Sequence, residues 1–445
     1  MRIWLAWMLL TVVVTSPSRA QRGATQMGPT VGQPRSTPMG GLGFGAGAWT
    51  VMAHAVGTIG YNRDPSPRGS REALTTSMVT VRIGRRVGPG LFSATAMTSL
   101  EPIMGSRGYP LLLQTGETSD GVTPLLDRQH PHDLFMQLSA RYAVEVDTTF
   151  AIFLRVAPVG PPALGPPVFM HRLSGRNLPT APIAHHFMDA THITYGVVTL
   201  GIVRDRKVTI EGSIFNGREP DQRRWNLERP AFNSFALRVT VDPHPDWSIQ
   251  ASLGQLDSPE QVHPGIDVVK LTLSATYNRP LAAGNWQTTL ILGRNKSEQA
   301  IIPLSQARAT FPPAILAHFL AQQPPQGVPE DSLSLFFPAR AQSAILVESA
   351  IQRRQTSVFA RFEWARKDEL FGPADVRHSR LFGVSKASLG GIVELPARAP
   401  VRIGFGAVGS VHFVAGDLQN IYGSLPASLL VFGRVRLQQE RAPAR

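Results

Sequence analysis

The chain has 445 residues, 44 Lys and Arg against 31 Asp and Glu, and no cysteine. The missing cysteine excludes disulfides, zinc–thiolate centres and thiol nucleophiles. A net charge of +13 would ordinarily point to nucleic acid, but the N-terminus points out of the cytoplasm, so anionic lipid, anionic solutes or an acidic surface polymer are the expected partners.

Arg2, an apolar run from Ile3 to Val14 and the small-residue stretch Ser18-Arg19-Ala20 predict a signal peptide over residues 1–20, cut after Ala20. Twelve apolar residues fall short of the ~20 that a membrane-spanning helix needs. A short membrane anchor is the alternative. Cleavage removes two arginines and leaves the mature chain at +11. Residues 21–46 are rich in Gly, Pro, Thr and Gln without an apolar period. They are expected to form a flexible leader, too short for a plug domain. No later segment approaches eighteen consecutive apolar residues, so helical spans are not expected.

From Ala48 the period is two, and residues 47–437 are expected to form one β domain. Val208, Ile210, Gly212 and Ile214 alternate with Thr209, Glu211, Ser213 and Phe215. Trp247, Ile249, Ala251 and Leu253 alternate with Ser248, Gln250 and Ser252. Val358, Ala360, Phe362 and Trp364 alternate with Ser357, Arg361 and Glu363. Similar alternation runs through 234–241, 269–277 and 428–436. One apolar and one polar face over ~10 residues is the pattern of a transmembrane β-strand.

Seven short connections, at 87–90, 146–148, 204–206, 242–246, 279–285, 353–355 and 396–400, are rich in turn-forming residues. Eight longer ones lie near 61–75, 102–133, 158–190, 217–232, 256–267, 295–341, 367–377 and 416–424. The two kinds alternate, which predicts an all-β fold: a sixteen-stranded antiparallel transmembrane β-barrel with short periplasmic turns and long extracellular loops. A soluble β-sandwich is the alternative, since its strands alternate too. The last strand stops near Leu437 without a terminal aromatic residue, and a polar tail, 438–445, follows.

Sixteen strands enclose an aqueous channel, so a pore is the expected function. Arg82, Arg141, Arg155, Arg238, Lys270, Arg294, Glu348, Arg361, Glu363, Arg402 and Arg434 are predicted to line it, with Glu211 and Arg436. Facing lipid, each such charge would cost ~2–4 kcal/mol at mid-depth. The excess of arginine predicts a preference for anions. The alternative is that these charges pair with one another and solvate the wall.

Two long loops gather histidine. One holds Asp127-Arg128-Gln129-His130-Pro131-His132-Asp133; the other holds Met170-His171 and His185-His186-Phe187-Met188-Asp189-Ala190-Thr191-His192, with His54 on the first strand nearby. Imidazole, carboxylate and thioether together suit copper, zinc or nickel. His130, His132, His171, His185, His186, Asp189 and His192 are therefore candidate ligands, copper or zinc the candidate cofactor. The alternative is that they hydrogen-bond a loop packed in the mouth. Residues 215–226, dense in charge around Trp225, could bind sugar or an acidic ligand, or form a salt-bridged loop. Pro312-Pro313 predicts a short helix within 295–341 that could cap the pore.

No hydrolase, zincin or P-loop motif is present, so no enzymatic activity is expected. A rim hydrolase using His185, His186 and Asp189, and a non-conducting surface barrel, remain as alternatives. Residues 127–133 and 185–201 resemble a group of uncharacterised bacterial outer-membrane proteins, and the whole pattern resembles the porin class. The resemblance implies an outer-membrane location, passage of small solutes and, as one assembly, a homotrimer. It assigns no substrate and no catalytic residue.

Overall fold

The computed structural model describes residues 31–437, except 39, 262, 312, 314–315, 318–319, 321–333, 373–374, 379 and 397–399. The expected signal peptide, residues 21–30, the polar tail and most of the helix expected after Pro312 lie outside the described residues; a helix instead spans Leu304–Thr310.

Sixteen strands form the wall. They are β1 (Trp49–Arg63), β2 (Arg71–Val87), β3 (Gly90–Thr98), β4 (Phe135–Glu145), β5 (Phe150–Gly160), β6 (Thr194–Arg204), β7 (Val208–Phe215) and β8 (Ser234–Val241). They continue as β9 (Trp247–Leu256), β10 (Val268–Leu281), β11 (Gly284–Ser297), β12 (Arg340–Arg353), β13 (Thr356–Lys367), β14 (Phe382–Glu394), β15 (Val401–Val414) and β16 (Ala427–Leu437). Each pairs antiparallel with its neighbours, and β16 closes on β1 through Ala55↔Leu437 to Arg63↔Leu429. The sheet is thus a closed barrel and not a sandwich. Closure satisfies the backbone groups that lipid would leave unpaired. The short turns and the alternating long loops fall between the strands the sequence predicts, with 397–399 and much of 295–341 outside the described residues. The first long loop shrinks to 64–70, because β1 and β2 run further than their turn residues suggest.

The strand period sorts side chains cleanly. Leu253, Leu271, Leu273, Leu290, Phe362 and Leu389 point outward and exposed, forming a lipid-facing band. Trp247, Tyr277 and Trp286 meet at tilted and edge-to-face angles near the periplasmic turns, with ring centroids 4.9 and 5.7 Å apart, as an interfacial aromatic cluster. This is a transmembrane barrel of the bacterial outer membrane. Leu273→Arg, at mid-band, is expected to cost ~2–4 kcal/mol and Thr272→Arg, facing inward, to disturb the luminal packing instead. Urea titration in liposomes, with Thr272→Arg labelled for luminal access, checks both.

Two expectations change. Arg294 is exposed on the outer face, across from Leu271 and Ser343, because Gln287, Thr289, Ile291, Gly293 and Asn295 take the inward positions of β11. It sits with Lys296 near the extracellular end of that strand, at the upper edge of the apolar band, where a long side chain can reach up to the interface. The leader is also not free throughout. Its strand Leu42–Ala46 pairs with Trp49–Ala53, and residues 31–38 enter the barrel. There Ser36 N–H donates to the Pro245 carbonyl (2.9 Å), Asn278 donates to Ser36 Oγ (3.0 Å) and Gln287 donates to Thr37 Oγ1 (3.2 Å).

Candidate functional site

The lumen is where the inward charges meet the loops. The connection 161–193 leaves β5, folds into the barrel and returns to β6, and nearly all of it is buried. Prolines and glycines keep it irregular, so its backbone groups need partners, and the wall supplies them. Ala163 N–H donates to Ser213 Oγ and Gly165 N–H to Ser252 Oγ, both at 2.8 Å. Arg238 donates to the Gly165 carbonyl, Arg361 to the Thr180 carbonyl and Lys367 to the Ile183 carbonyl, at 3.0, 3.2 and 3.0 Å. Ser174 meets Gln287 and Thr289. Lys270 donates to Thr191 Oγ1 (3.1 Å), Ala184 N–H to Glu363 (3.3 Å) and Arg434 to Asn177 (2.8 Å).

At mid-barrel Arg172, 1 % exposed, donates to Glu348 Oε1 and Asp189 Oδ2, each at 2.6 Å. Glu348 also takes Arg361 at 3.1 Å. A helix of four residues, His185–Met188, presses so closely on the wall that a Cβ at Gly293 would stand 2.2 Å from the Phe187 carbonyl. An apolar patch of Tyr109, Leu111, Leu113, Phe169, Leu178 and Ile183 joins this connection to residues 99–134 and to the wall.

The predicted lining residues other than Arg294 do face inward, but most hold a loop rather than water. This corrects the expectation of an open aqueous lumen: the wall charges are spent on the segment that fills it. Glu211 pairs with Arg238, its partner across β7 and β8, at 2.8 Å. Glu394 takes Arg434 and Arg436 at 3.1 and 2.6 Å, and Arg402 at 3.9 Å near the periplasmic end. Arg82, Arg141 and Arg155, on β2, β4 and β5, stay half-buried. Arg141 stacks on Phe153 (4.0 Å), and Arg155 donates to the Pro161 carbonyl (2.7 Å). A cavity of about 50 Å³, lined by His54, Glu101, His132, Arg176, Arg434 and Arg436 among others, has room for a few waters.

The histidines of the two loops do meet. Ring centroids stand 5.3 Å apart for His132 and His192, 5.3 Å for His185 and His192, 6.0 Å for His185 and His186, and 6.4 Å for His130 and His186. They do not form one ligand set. His132 Nδ1 is 2.8 Å from the fully buried Glu101, whose charge outweighs burial and raises the imidazole pKa. His185 Nδ1 is 2.8 Å from Asp189, which Arg172 already engages; burial opposes ionisation of that carboxyl, but Arg172 and His185 hold it well below the usual range. His192 Nδ1 donates to the Asp189 carbonyl (2.9 Å), and His171 contributes its backbone carbonyl to Gln33 of the leader.

Among the described residues, His130 and His186 are the two of these histidines that share a pocket spaced for a metal, and their partner is Glu117. A second such cluster joins Glu260, His263 and Glu369. Sequence reasoning missed these carboxylates: Glu117 lies in the same loop as His130 but outside its histidine motif, and Glu260 and Glu369 belong to other loops. The one available signal was the presence of carboxylates inside the long loops of the same rim. The charged stretch 215–226 is partly a salt-bridged loop, with Arg224 held by Glu117 (3.3 Å) and Asp133 (3.5 Å).

The loops carry a pH dependence. Burial first, then Arg172 and His132, lower the His171 ring from 6.5 to about 4. A ring kept neutral in the fold contributes fully above pH 6.5 and loses that contribution as pH falls towards 4, at most about 3 kcal/mol. Asp133 opposes it: burial, against Arg224, pushes its carboxyl from 3.8 up to about 7, so it destabilises the fold as pH rises through that window. In thermal unfolding followed from pH 8 to 4, His171→Gln should flatten the acid decline and Asp133→Asn should steepen it.

No protein-family model matches the chain, and neither does any curated protein. Among solved structures, the Salmonella typhi OmpF complex with daunomycin aligns with TM-score 0.46 and 7% identity, covering 89% of this chain and all of that one. An anion-selective porin from Comamonas acidovorans gives 0.45 and 8%, over 88% of this chain and 100% of its own. OccAB3 of Acinetobacter baumannii gives 0.41 and 11%, over 87% and 99%. By its own strand pairing and lipid-facing band, the chain is a closed sixteen-stranded outer-membrane β-barrel with a filled lumen.

Proposed function

We propose that this barrel is an outer-membrane channel for small anionic solutes, closed at rest by residues 161–193. One observation carries the reading. The wall of β7–β13, with Arg434 of β16, grips that segment through hydrogen bonds and ion pairs, which water can replace, and the chain has no disulfide to fix it. A charged inner face is costly unless it meets water or a polar partner, and here the partner is a loop that can leave. The half-buried Arg82, Arg141 and Arg155 supply the positive wall for an anion on the β2–β5 side.

No chemical turnover belongs to this proposal. His185 and Asp189 are sealed beneath the loops, and Asp189 is engaged by Arg172, which supports passage rather than a rim hydrolase.

The charge preference is read from the reversal potential across a KCl gradient, in a variant whose segment 165–182 is replaced by a Gly-Ser linker. Anion preference is expected, weakened or inverted in that background by Arg141→Glu with Arg155→Glu. Cation preference, or no response to the pair, contradicts the reading.

A further inference from the structure

We propose that Glu117, His130 and His186, with Glu219 beside them, form a seat for a divalent ion of the zinc class at the extracellular mouth. One carboxylate oxygen of Glu117 and one ring nitrogen each of His130 and His186 lie within 4.8 Å of one another. A tetrahedral ion bound at ~2.0–2.2 Å holds its ligands roughly 3.4 Å apart, so small side-chain adjustments close the set.

The hydrogen bonding points to a cation. His130 Nδ1 lies 3.0 Å from the Pro131 carbonyl, which accepts and therefore calls for the ring proton on Nδ1. In the neutral ring that leaves the Nε2 lone pair facing Glu117 Oε1 at 3.0 Å, one acceptor against another. His186 Nε2 is buried without a hydrogen-bond partner in a residue only 7 % exposed. Glu219 brings a second carboxylate to 3.8 Å from His186 Nδ1. Acceptors converging on one point, with a buried nitrogen left over, are what a positive ion satisfies.

The site is also braced from outside. Arg224 holds the other oxygen of Glu117 at 3.3 Å, and Asn295 on β11 donates to the His186 carbonyl at 3.3 Å. Imidazole with carboxylate suits Zn²⁺, and Co²⁺ reports the same geometry by its colour. The cluster of Glu260, His263 and Glu369 is different. There both carboxylates stand 3.0 Å from His263 Nδ1, and Arg340 lies 3.1 Å from Nε2, so a cation is already in place.

The test uses the full chain, refolded in detergent and freed of metal with a chelator. Calorimetric titration with Zn²⁺ should show one equivalent per chain, and Co²⁺ should give the intense visible bands of a tetrahedral site. Glu117→Gln and His186→Ala should each weaken binding at least about 100-fold, while His263→Ala should leave it unchanged. Heat-dependent gel mobility shows whether each variant keeps its barrel. Absence of stoichiometric Zn²⁺ binding or of tetrahedral Co²⁺ bands in the wild type overturns the proposal, whatever the variants do. So does equal binding by folded His186→Ala. Neither outcome bears on conduction, so the seat and the channel stand or fall separately.

Discussion

Arg172→Ala is expected to release the luminal segment. Glu348 and Asp189 each lose a partner held at 2.6 Å, in a place where none of the three side chains is more than 1 % exposed. Breaking a buried pair from one side costs ~3–5 kcal/mol, because the remaining charge stays dry and uncompensated. Arg361 still reaches Glu348 at 3.1 Å and His185 still reaches Asp189 at 2.8 Å, which argues for the lower end. The sheet itself is untouched, so the loss falls on the local opening of 161–193 and not on the barrel.

Cysteine labelling reads this opening without background, since the chain has no cysteine of its own. Ser252, on β9 and 4 % exposed, accepts the Gly165 N–H and lies directly beneath the segment. In a Ser252→Cys reporter, Arg172→Ala should raise the rate of reaction with a membrane-impermeant thiol reagent about a hundredfold, the ratio that ~3 kcal/mol sets. Arg172→Met with Glu348→Leu should restore part of the protection, because the dry carboxylate at 348 is gone, while Asp189 keeps only His185 and Arg361 keeps only the Thr180 carbonyl. Equal labelling in all three would mean that the ion pairs do not hold the segment.

The wall was legible in the sequence because lipid and a polar interior impose a strict period of two. Val208 to Phe215 and Trp247 to Leu256 show it residue by residue, and the alternation of turn-rich and loop-rich connections then counts the strands. Arg294 was misplaced because an arginine near the rim is tolerated on either face; the inward run Gln287, Thr289, Ile291 of its own strand decides. The contents of the lumen were not legible. Periodicity says which side chains point inward but not what they meet, and an irregular loop rich in Pro and Gly reads alike on the surface or inside. The tie between Arg172 and Glu348 spans 176 residues and has no local signature. The leader was hidden for the same reason: Ser36 finds Asn278 only once the barrel has closed. Of the candidate metal ligands, His130 and His186 came from local density of histidine, whereas Glu117 stands apart from the motif in the loop of His130, and Glu219 comes from a third loop.

Whether residues 161–193 close the lumen is decided by conductance in planar bilayers, comparing the wild type with the chain in which 165–182 is replaced by a Gly-Ser linker. The wild type should be silent or show only brief, small openings, and the shortened chain should show large, steady steps of the size a sixteen-strand barrel permits. Large steady steps from the wild type, or silence from both proteins, would show that this segment is not the closure.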